Sequence, residues 1–288
     1  MKIAYVLGFI KIVNLQPEVP DSIEEFKNIE YKNVGEVSLK LDIYKLKKQK
    51  NPAPVLIFIH GGAWRTGKRS DYLPYLIDFA KQGYVTATVS YRLVKKAKFP
   101  AAVKDVKCAV KWIREHADEY LIDPDKIAVI GGSAGGHLSM MIGYSSDETE
   151  FDGECACDSV SSRVQAVVNL YGPSDLTTEY ALSRREVTDF IEPSYDEAPE
   201  MYRKASPIFF ITPDDPPTLI FQGTIDELVP VRQADMLKKK LDEVGVPGEY
   251  HRLKGWPHTM DIAEPVHRYC KYHMNAFFEK YIPIVNSY

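Results

Sequence analysis

The stretch Lys126-Ile127-Ala128-Val129-Ile130-Gly131-Gly132-Ser133-Ala134-Gly135 decides the fold of this chain. Its first half is a short apolar run, which is typical of a strand buried on both faces of a sheet. The glycines allow a sharp turn at Ser133, because residues without side chains let neighbouring backbone segments come close. A helix is predicted to follow, over His137 to Tyr144. The pattern therefore predicts a strand, a tight turn carrying an exposed serine hydroxyl, and a helix.

Strands and helices alternate on both sides of this turn. Val37 to Leu46 alternates apolar and polar residues, as a half-buried strand does. Further strands are predicted at 54–59, 85–89, 164–170, 218–221 and 249–253, and helices at 101–118, 235–244 and 266–281. This order predicts an α/β fold with a mostly parallel, twisted sheet flanked by helices. The polar, proline-containing stretch at about 173–217 is expected to form a short lid-like insertion between the sixth and seventh strands of the fold.

Length and composition favour one folded unit and exclude several functional classes. The 288 residues are 45% apolar and 26% charged, as in ordinary globular proteins. We expect a single domain over 1–288, with 1–30 as an N-terminal segment, because no linker separates two cores. The net charge is −4, whereas nucleic-acid-binding proteins are typically basic. Neither a nucleic acid nor a membrane is therefore expected as a partner.

The first residues resemble a signal peptide only faintly. The apolar run from Ile3 to Ile10 is short, Lys11 follows it, and no small-residue cleavage site comes after it. We expect a retained segment and a cytoplasmic protein, with secretion as the alternative.

The cysteines predict neither a disulfide scaffold nor a metal site. The chain has four cysteines, which are too few for a scaffold. Cys155 and Cys157 form a C-x-C pair in the polar stretch 152–158, but no second pair or nearby histidine completes a tetrahedral zinc site. We therefore expect an exposed loop there and no bound metal.

A second glycine-rich motif, His60-Gly61-Gly62-Ala63-Trp64, ends the apolar run at 54–59. Backbone N–H groups that are turned inward can stabilise an oxyanion, and small residues allow that turn. Gly62 and Ala63 are the candidate donors, together with Ala134 directly after Ser133. His60 is interpreted as a residue that shapes the loop rather than as a base.

Several motifs together resemble the α/β-hydrolase-fold serine esterases, in the group of hormone-sensitive-lipase-like carboxylesterases and bacterial feruloyl and acetyl xylan esterase-like proteins. The motifs are HGGAW at 60–64, SYRL at 90–93, FPAA at 99–102 with Asp105, GGSAGGHL at 131–138, YGPSDL at 171–176, GTID at 223–226, and His258. The resemblance covers about residues 35–280. It implies the α/β-hydrolase fold, a nucleophile, acid and histidine in that chain order, and a buried ion pair between Arg92 and Asp105.

The resemblance also implies the roles of individual residues. Ser133 is the expected nucleophile, Asp226 the acid and His258 the base. Asp226 follows the strand at 218–221, where the family carries its acid, and Glu227 and Asp175 remain alternatives. The chain departs from the family's usual pattern in two places: Trp256 and Pro257 precede His258 where glycines are common, and Gln222 stands where many relatives have histidine.

Aromatic residues carry two open interpretations. Trp64 either packs beneath the site or lines an acyl pocket as a substrate-binding residue. The last helix contributes its aromatic residues either to the core, which is favoured, or to a partner interface; these residues are Tyr269, Tyr272, Phe277, Phe278 and Tyr281.

The function implied is hydrolysis of a carboxylic ester through an acyl-enzyme, with neither metal nor cofactor. The family acts on short-chain acyl esters, acetyl groups of xylan or feruloyl groups of plant polysaccharide, so the partner is a small-molecule or carbohydrate-linked ester. The segment 173–217 is too short for a large cap, which favours short acyl chains. Two alternatives stay open: a kynurenine formamidase, whose H-G-G-x-W loop is similar, and a non-catalytic ligand-binding homologue.

Overall fold

The computed structural model describes residues 10–153, 155–157 and 159–285. Its strands are β1 (Ile23–Val34), β2 (Val37–Leu46), β3 (Ala53–Ile59), β4 (Val85–Val89), β5 (Ile122–Gly132), β6 (Ala166–Leu170), β7 (Thr218–Gly223) and β8 (Gly248–Leu253). They form one eight-stranded sheet in the order β1-β2-β4-β3-β5-β6-β7-β8. The pairs β1–β2 and β2–β4 are antiparallel and all the others are parallel. The predicted mostly parallel sheet is confirmed.

Helices cover both faces of this sheet. They are α1 (Leu73–Lys81), α2 (Ala101–Glu115), α3 (Ala117–Tyr120), α4 (Ala134–Tyr144), α5 (Glu179–Leu182), α6 (Arg185–Ile191), α7 (Pro199–Lys204), α8 (Val231–Val244) and α9 (Glu264–Tyr281). Short 3-10 turns occur at Arg69–Tyr72, Thr149–Phe151, Pro207–Phe209 and Met260–Ile262. Helices α2, α4 and α8 pack on one face, and α1 and α9 pack on the other.

The central strands are apolar throughout because both of their faces are covered. In β3, Ile57 points into one core and Phe58 into the other, and both are fully buried. Successive strand side chains point to opposite faces, so a run without polar residues feeds two cores at once. Each such aliphatic or aromatic side chain contributes roughly 1.5–3 kcal/mol by leaving water.

Two elements were not predicted from the sequence. No strand was predicted within the N-terminal segment 1–30, but β1 begins at Ile23. Register shifts between Phe26 and Ile29 interrupt its alternation, so the period-two signal is lost. In α1, seven of nine residues are buried, so no polar face reveals a helical period. Most of the apolar run from Ile3 to Ile10 lies outside the described residues.

The insertion at 173–217 holds α5, α6 and α7 and lies between β6 and β7, as predicted. Helix α6 fixes it to the body of the protein. Its Phe190 ring stacks on the Trp64 ring with centroids 4.3 Å apart, and its Asp189 pairs with Arg65 at 2.8 Å. The insertion therefore forms a wall of the region that contains Ser133.

A buried ion pair holds α2 to the segment after β4. Asp105 is fully buried and accepts hydrogen bonds from Arg92 Nε at 2.7 Å and Arg92 Nη2 at 2.8 Å. Lys32 of β1, which the motif comparison did not include, lies 3.1 Å from the same carboxylate. Removing one partner from such a pair typically costs about 3–5 kcal/mol, because a buried charge is left uncompensated.

The cysteine loop differs from its prediction. Cys155 forms a disulfide with Cys108 of α2, and Cys157 is 2% exposed, so the expected exposed loop is wrong for this pair. The neighbouring Glu154 and Asp158 lie outside the described residues. A C-x-C pattern carries no information about a distant third cysteine, which is why the bridge was missed.

The aromatic residues of α9 differ in their burial. Phe277 and Phe278 are buried in the core, whereas Tyr269 and Tyr272 are 39% and 70% exposed. Over the described part of the chain, no helix is long and apolar enough to cross a lipid bilayer.

Candidate active site

Ser133 lies on a strained turn between β5 and α4. Its backbone has φ 56° and ψ −123°, a combination that non-glycine residues rarely adopt. The flanking glycines make the turn possible. A Cβ atom at Gly135 would lie 2.0 Å from the carbonyl oxygen of Ile59, and one at Gly131 would lie 2.3 Å from the backbone of Gly135. Close backbone packing therefore requires glycine on both sides of the serine.

Three side chains from distant parts of the chain meet at Ser133. His258 Nε2 lies 3.0 Å from Ser133 Oγ, and His258 Nδ1 lies 2.7 Å from Asp226 Oδ2. The three residues follow β5, β7 and β8. Because the carboxyl ends of parallel strands share one edge of the sheet, residues more than a hundred positions apart come into contact there.

Asp226 is held in place by more than the histidine. Its Oδ1 accepts hydrogen bonds from the backbone N–H groups of Leu228 and Val229, both at 2.9 Å. Its Oδ2 accepts one from Gln222 Nε2 at 3.0 Å. The glutamine that departs from the family pattern thus orients the carboxylate that faces His258.

The two alternative acids have other surroundings. Asp175 accepts hydrogen bonds from the backbone N–H and the hydroxyl of Thr177, at 2.8 and 2.6 Å. Glu227 is exposed. Asp226 is therefore the carboxylate of the three candidates that contacts His258.

The HGGAW loop has an unusual backbone conformation. Gly62, Ala63 and Trp64 all have positive φ angles, of 94°, 53° and 56°. The carbonyl of Gly62 accepts hydrogen bonds from the N–H groups of Arg65 and Thr66, at 3.0 and 3.1 Å, which closes a tight turn. Non-glycine residues adopt this region at a cost, so the loop stores strain beside the serine.

Two cavities reach Ser133, and Ala63 and His258 line both of them. The wide cavity has a volume of about 750 Å³, and the narrow cavity one of about 90 Å³. Residues that line only the wide cavity include Gly62, Tyr72, Tyr171, Asp261, Ile262 and His267. Residues that line only the narrow cavity include Trp64, Ala134, Tyr180, Arg184 and Val187.

Ala134 is the first residue of α4, so its N–H is among those without an acceptor inside the helix. Ala134 and Ser133 both line the narrow cavity, whereas Gly62 and Ser133 both line the wide cavity. Ala63 lines both cavities, so each of the three predicted donor residues lines at least one cavity that reaches Ser133.

Trp64 combines both roles considered for it. Its side chain is 3% exposed and packs between the Phe190 ring and the edge of His137, whose ring centroid is 5.1 Å away. It also lines the narrow cavity. Burial lowers the pKa of His137 to about 4, so this histidine is a neutral packing residue that hydrogen-bonds the Ala205 carbonyl at 2.7 Å.

His60 is likewise enclosed. It is 2% exposed, and its ring stacks on Tyr91 with centroids 4.4 Å apart. Burial lowers its pKa, and its Nδ1 lies 3.0 Å from the Gly61 carbonyl. These contacts fix the start of the HGGAW loop.

The sequence analysis missed a buried polar pair beside the histidine. The Tyr171 hydroxyl donates a hydrogen bond to Asp261, and the Tyr171 ring lies edge-on to the His258 ring with centroids 4.8 Å apart. Asp261 is 4% exposed, and burial raises its pKa. An acidic residue between apolar Met260 and Ile262 was the available signal, because a carboxylate in such a setting needs a donor.

The arrangement has a clear chemical capacity. A carboxylate that orients an imidazole, which in turn contacts a hydroxyl, can activate that hydroxyl for nucleophilic attack. Outside both cavities, Glu249, His251 and His273 form the one group within the described residues whose side chains could ligate a metal ion.

Comparisons with known proteins identify the family of this chain. The BD-FAE family matches residues 41–241. Esterase LipC of Mycobacterium tuberculosis is 36% identical over 78% of this chain and 57% of its own length. The chain spans about half the length of the curated relatives it matches first, with shares of 57%, 50% and 52%.

Solved structures are similar over nearly the whole chain. Thermogutta terrifontis esterase 2 with propionate bound is 25% identical, has a TM-score of 0.78, and aligns over 94% of this chain and 98% of its own. A truncated carbohydrate esterase from gut microbiota is 27% identical, with a TM-score of 0.78 over 89% of this chain and 97% of its own. The chain belongs to the BD-FAE family of α/β-hydrolase carboxylesterases.

Proposed function

We propose that this chain hydrolyses carboxylic esters through an acyl-enzyme formed on Ser133. The observation that carries the proposal is the continuous contact from Ser133 Oγ through His258 to Asp226, over distances of 3.0 and 2.7 Å. The arrangement needs no further group to activate the hydroxyl, since the imidazole accepts its proton.

Each residue then has a defined role. Ser133 Oγ attacks the acyl carbon while His258 Nε2 takes its proton, and Asp226 stabilises the imidazolium that forms. The oxyanion accepts hydrogen bonds from the N–H groups of Gly62, Ala63 and Ala134. His258 protonates the departing alcohol, and a water molecule that it activates then releases the acid.

We assign the acyl group to the narrow cavity and the alcohol to the wide one. Two residues of the proposed oxyanion site, Ala63 and Ala134, line the narrow cavity. Its volume of about 90 Å³ is small beside the 750 Å³ of the wide cavity, which suits a short acyl group such as acetyl or propionyl. The propionate bound by the related Thermogutta esterase is of that size class.

The alcohol side favours a larger, polar leaving group. The wide cavity, of about 750 Å³, is in the size range of sites for whole small-molecule ligands. The buried side chains of Tyr171 and Asp261 line it. We therefore favour acetyl esters of bulky alcohols, including acetylated carbohydrate, over feruloyl esters, whose aromatic acyl group exceeds the narrow cavity.

Release of p-nitrophenol from p-nitrophenyl acetate tests the nucleophile. We expect Ser133→Ala to lower kcat by about 10⁴-fold or more, because removing such a nucleophile abolishes the acyl-enzyme path. Ser139→Ala is the matched control: Ser139 lies in α4, the helix that follows Ser133, and its hydroxyl donates a hydrogen bond to the Gly135 carbonyl, at 2.9 Å. Equal rates for Ser133→Ala and the wild type would contradict the proposal.

A substrate series tests the cavity assignment. Acetylated xylan, methyl ferulate and aryl esters from acetyl to dodecanoyl are compared by kcat/KM, with N-formylkynurenine as the amide alternative. We expect a fall with acyl length. A steep rise toward dodecanoyl, or a preference for methyl ferulate, would reverse the assignment of the two cavities.

A further inference from the structure

A second cluster of polar side chains lies at the far edge of the sheet, where β8 faces α9. Glu249 and His251 are two positions apart on β8, so both point to the same face of the strand. Tyr269 and His273 are four positions apart on α9, so they share one face of the helix. The strand and the helix thus bring a carboxylate and two imidazoles together, and the mechanism proposed for Ser133 uses none of them.

The distances within this cluster are those of a metal site. Glu249 Oε1 lies 2.9 Å from His251 Nε2 and 3.7 Å from His273 Nδ1. One potential ligand atom from each residue lies within 4.8 Å of the others. Tetrahedral zinc with bonds of about 2.1 Å separates its ligand atoms by about 3.3 Å. Small side-chain rotations would therefore bring all three atoms to bonding distance of one ion.

The surroundings of His251 supply an independent argument. Its Nδ1 lies 3.0 Å from the Tyr269 hydroxyl, which leaves Nε2 to face the cluster. In metal-bound histidines the second ring nitrogen almost always donates a hydrogen bond, and the Tyr269 hydroxyl is placed to accept one from Nδ1 when an ion replaces the proton on Nε2. The Phe221 ring stacks on His251 with centroids 4.9 Å apart, so the imidazole plane is held before any ion binds.

The other two side chains suit the role of ligand as well. The His273 ring lies beside the His251 ring, with centroids 3.9 Å apart, and its Nδ1 lies 3.7 Å from Glu249 Oε1. The side chain of Glu249 is 44% exposed, which provides a path for entry and room for a water molecule as fourth ligand. Two imidazoles, one carboxylate and one water form a donor set that zinc accepts.

We propose that Glu249, His251 and His273 bind a divalent cation of the zinc class. The ion would join β8 to α9. These elements flank the segment that carries His258, since β8 ends at Leu253 and α9 begins at Glu264. Binding would stabilise the folded protein by linkage and would leave the ester-cleaving groups unchanged.

Cobalt(II) titration of the full-length, chelator-treated protein tests the site directly. We expect one equivalent to bind, with the strong visible absorption of tetrahedral cobalt, and Zn²⁺ to displace it. His273→Gln should weaken Zn²⁺ binding at least 10-fold through the loss of a ligand. Tyr269→Phe keeps the ring but removes the supporting hydroxyl, and should weaken binding by about 10-fold. His116→Gln is the matched control, since His116 lies at the end of α2 and stacks on Trp112.

Two results would overturn the proposal: no stoichiometric tetrahedral cobalt complex, or equal affinity in the wild type, His273→Gln and Tyr269→Phe. The second result would mean adventitious binding elsewhere on the chain. If the glutamine variant fails to fold, Tyr269→Phe decides alone, because its hydroxyl is at the surface. The Ser133→Ala protein should bind cobalt as the wild type does, so this test and the esterase test fail independently.

Discussion

The two cavities beside Ser133 differ in size and in the residues that border them. Of the two, only the narrow cavity is lined by Trp64 and the buried Val187, and Trp64 packs against Phe190 and His137. Only the wide cavity is lined by the buried Tyr171 and Asp261. Close-packed side chains deform little, so they select by size. Buried polar groups select by hydrogen bonding. We therefore expect substitutions in the two cavities to alter acyl and alcohol specificity separately.

Of the variants that test this comparison, the largest effect is expected at Gly62, which lines the wide cavity and precedes Ala63, a residue that lines both cavities. Gly62→Ala would place a Cβ atom 2.3 Å from the Thr66 carbonyl oxygen at a φ of +94°, so the HGGAW loop must shift. Misplaced oxyanion donors typically cost about 10²–10³ in kcat. We therefore expect p-nitrophenyl acetate hydrolysis to fall at least about 100-fold.

Gly35→Ala is the matched control for this change. Gly35 also has a positive φ, of 59°, but a Cβ atom there would have nothing within 4 Å, and the residue lies in the turn between β1 and β2. Hydrolysis by this variant should stay at the wild-type rate. Activity of Gly62→Ala within threefold of wild type would mean that the loop amides do not hold the oxyanion.

A smaller effect should separate the two cavities. Val187→Ala enlarges the narrow cavity, whereas Ile262→Ala enlarges the wide one. A methylene in an apolar pocket changes discrimination by roughly 10–200-fold. We expect Val187→Ala to raise the ratio of kcat/KM for butyrate over acetate esters by about 10-fold. Ile262→Ala should leave this ratio unchanged and alter selectivity among alcohols. The opposite result would exchange the acyl and alcohol sides.

The resemblance to the α/β-hydrolase esterases named Ser133, Asp226 and His258, with Glu227 and Asp175 as alternative acids, and the structure brings the first three into contact. Each follows a strand, and parallel strands deliver their carboxyl ends to one edge of the sheet. The prediction of a mostly parallel sheet is also confirmed, because the apolar runs of the central strands are long enough to be recognised in the sequence. These features are local in sequence, or follow from a simple topological rule.

The features that were missed depend on contacts between distant segments. In the sequence, Asp261 resembles any other loop carboxylate, and its hydrogen bond with Tyr171 is seen only in the structure. The disulfide between Cys155 and Cys108 is likewise seen only in the structure. Helix α1 has too few exposed positions to show a period. Spacing along one segment carries no information on contacts between distant segments. The sequence therefore predicted the contacts among Ser133, His258 and Asp226, but not the buried polar pair that lines the wide cavity.

The smallest effect concerns Asp261 and Asp78, two carboxylates near His267. Their contributions to the stability of the folded protein should respond to pH in opposite ways. Burial raises the pKa of Asp261, whereas the His267 ring and the Lys271 ammonium lower the pKa of Asp78 to about 2. Asp78 Oδ2 lies 3.9 Å from His267 Nε2, and His267 also lines the wide cavity. Substitution of each carboxylate by asparagine gives a matched pair.

The direction of each response follows from linkage. The folded protein holds the Asp261 proton more tightly than the unfolded chain does, so this stabilisation is complete below the unfolded pKa of about 4 and is lost as pH rises through the folded pKa. The Asp261→Asn variant has no carboxyl group to ionise at this position, so it does not lose stability in this way. The Tm of the variant minus the Tm of the wild type should therefore increase from pH 4 to pH 7. The contribution of Asp78 is present above about pH 4 and is lost as pH falls toward 2.

Asp78→Asn should therefore lower Tm at pH 7, and its deficit should shrink as the pH falls below about 4. Thermal unfolding of the two variants and the wild type across this range measures both differences. Because Asp78 is partly exposed, its effect should also weaken in salt, whereas that of buried Asp261 should not. Parallel curves for the two variants would show that Asp261 is ionised as readily as a surface carboxylate. The wide cavity would then select its alcohol by charge, and its contrast with the narrow cavity would be electrostatic as well as steric.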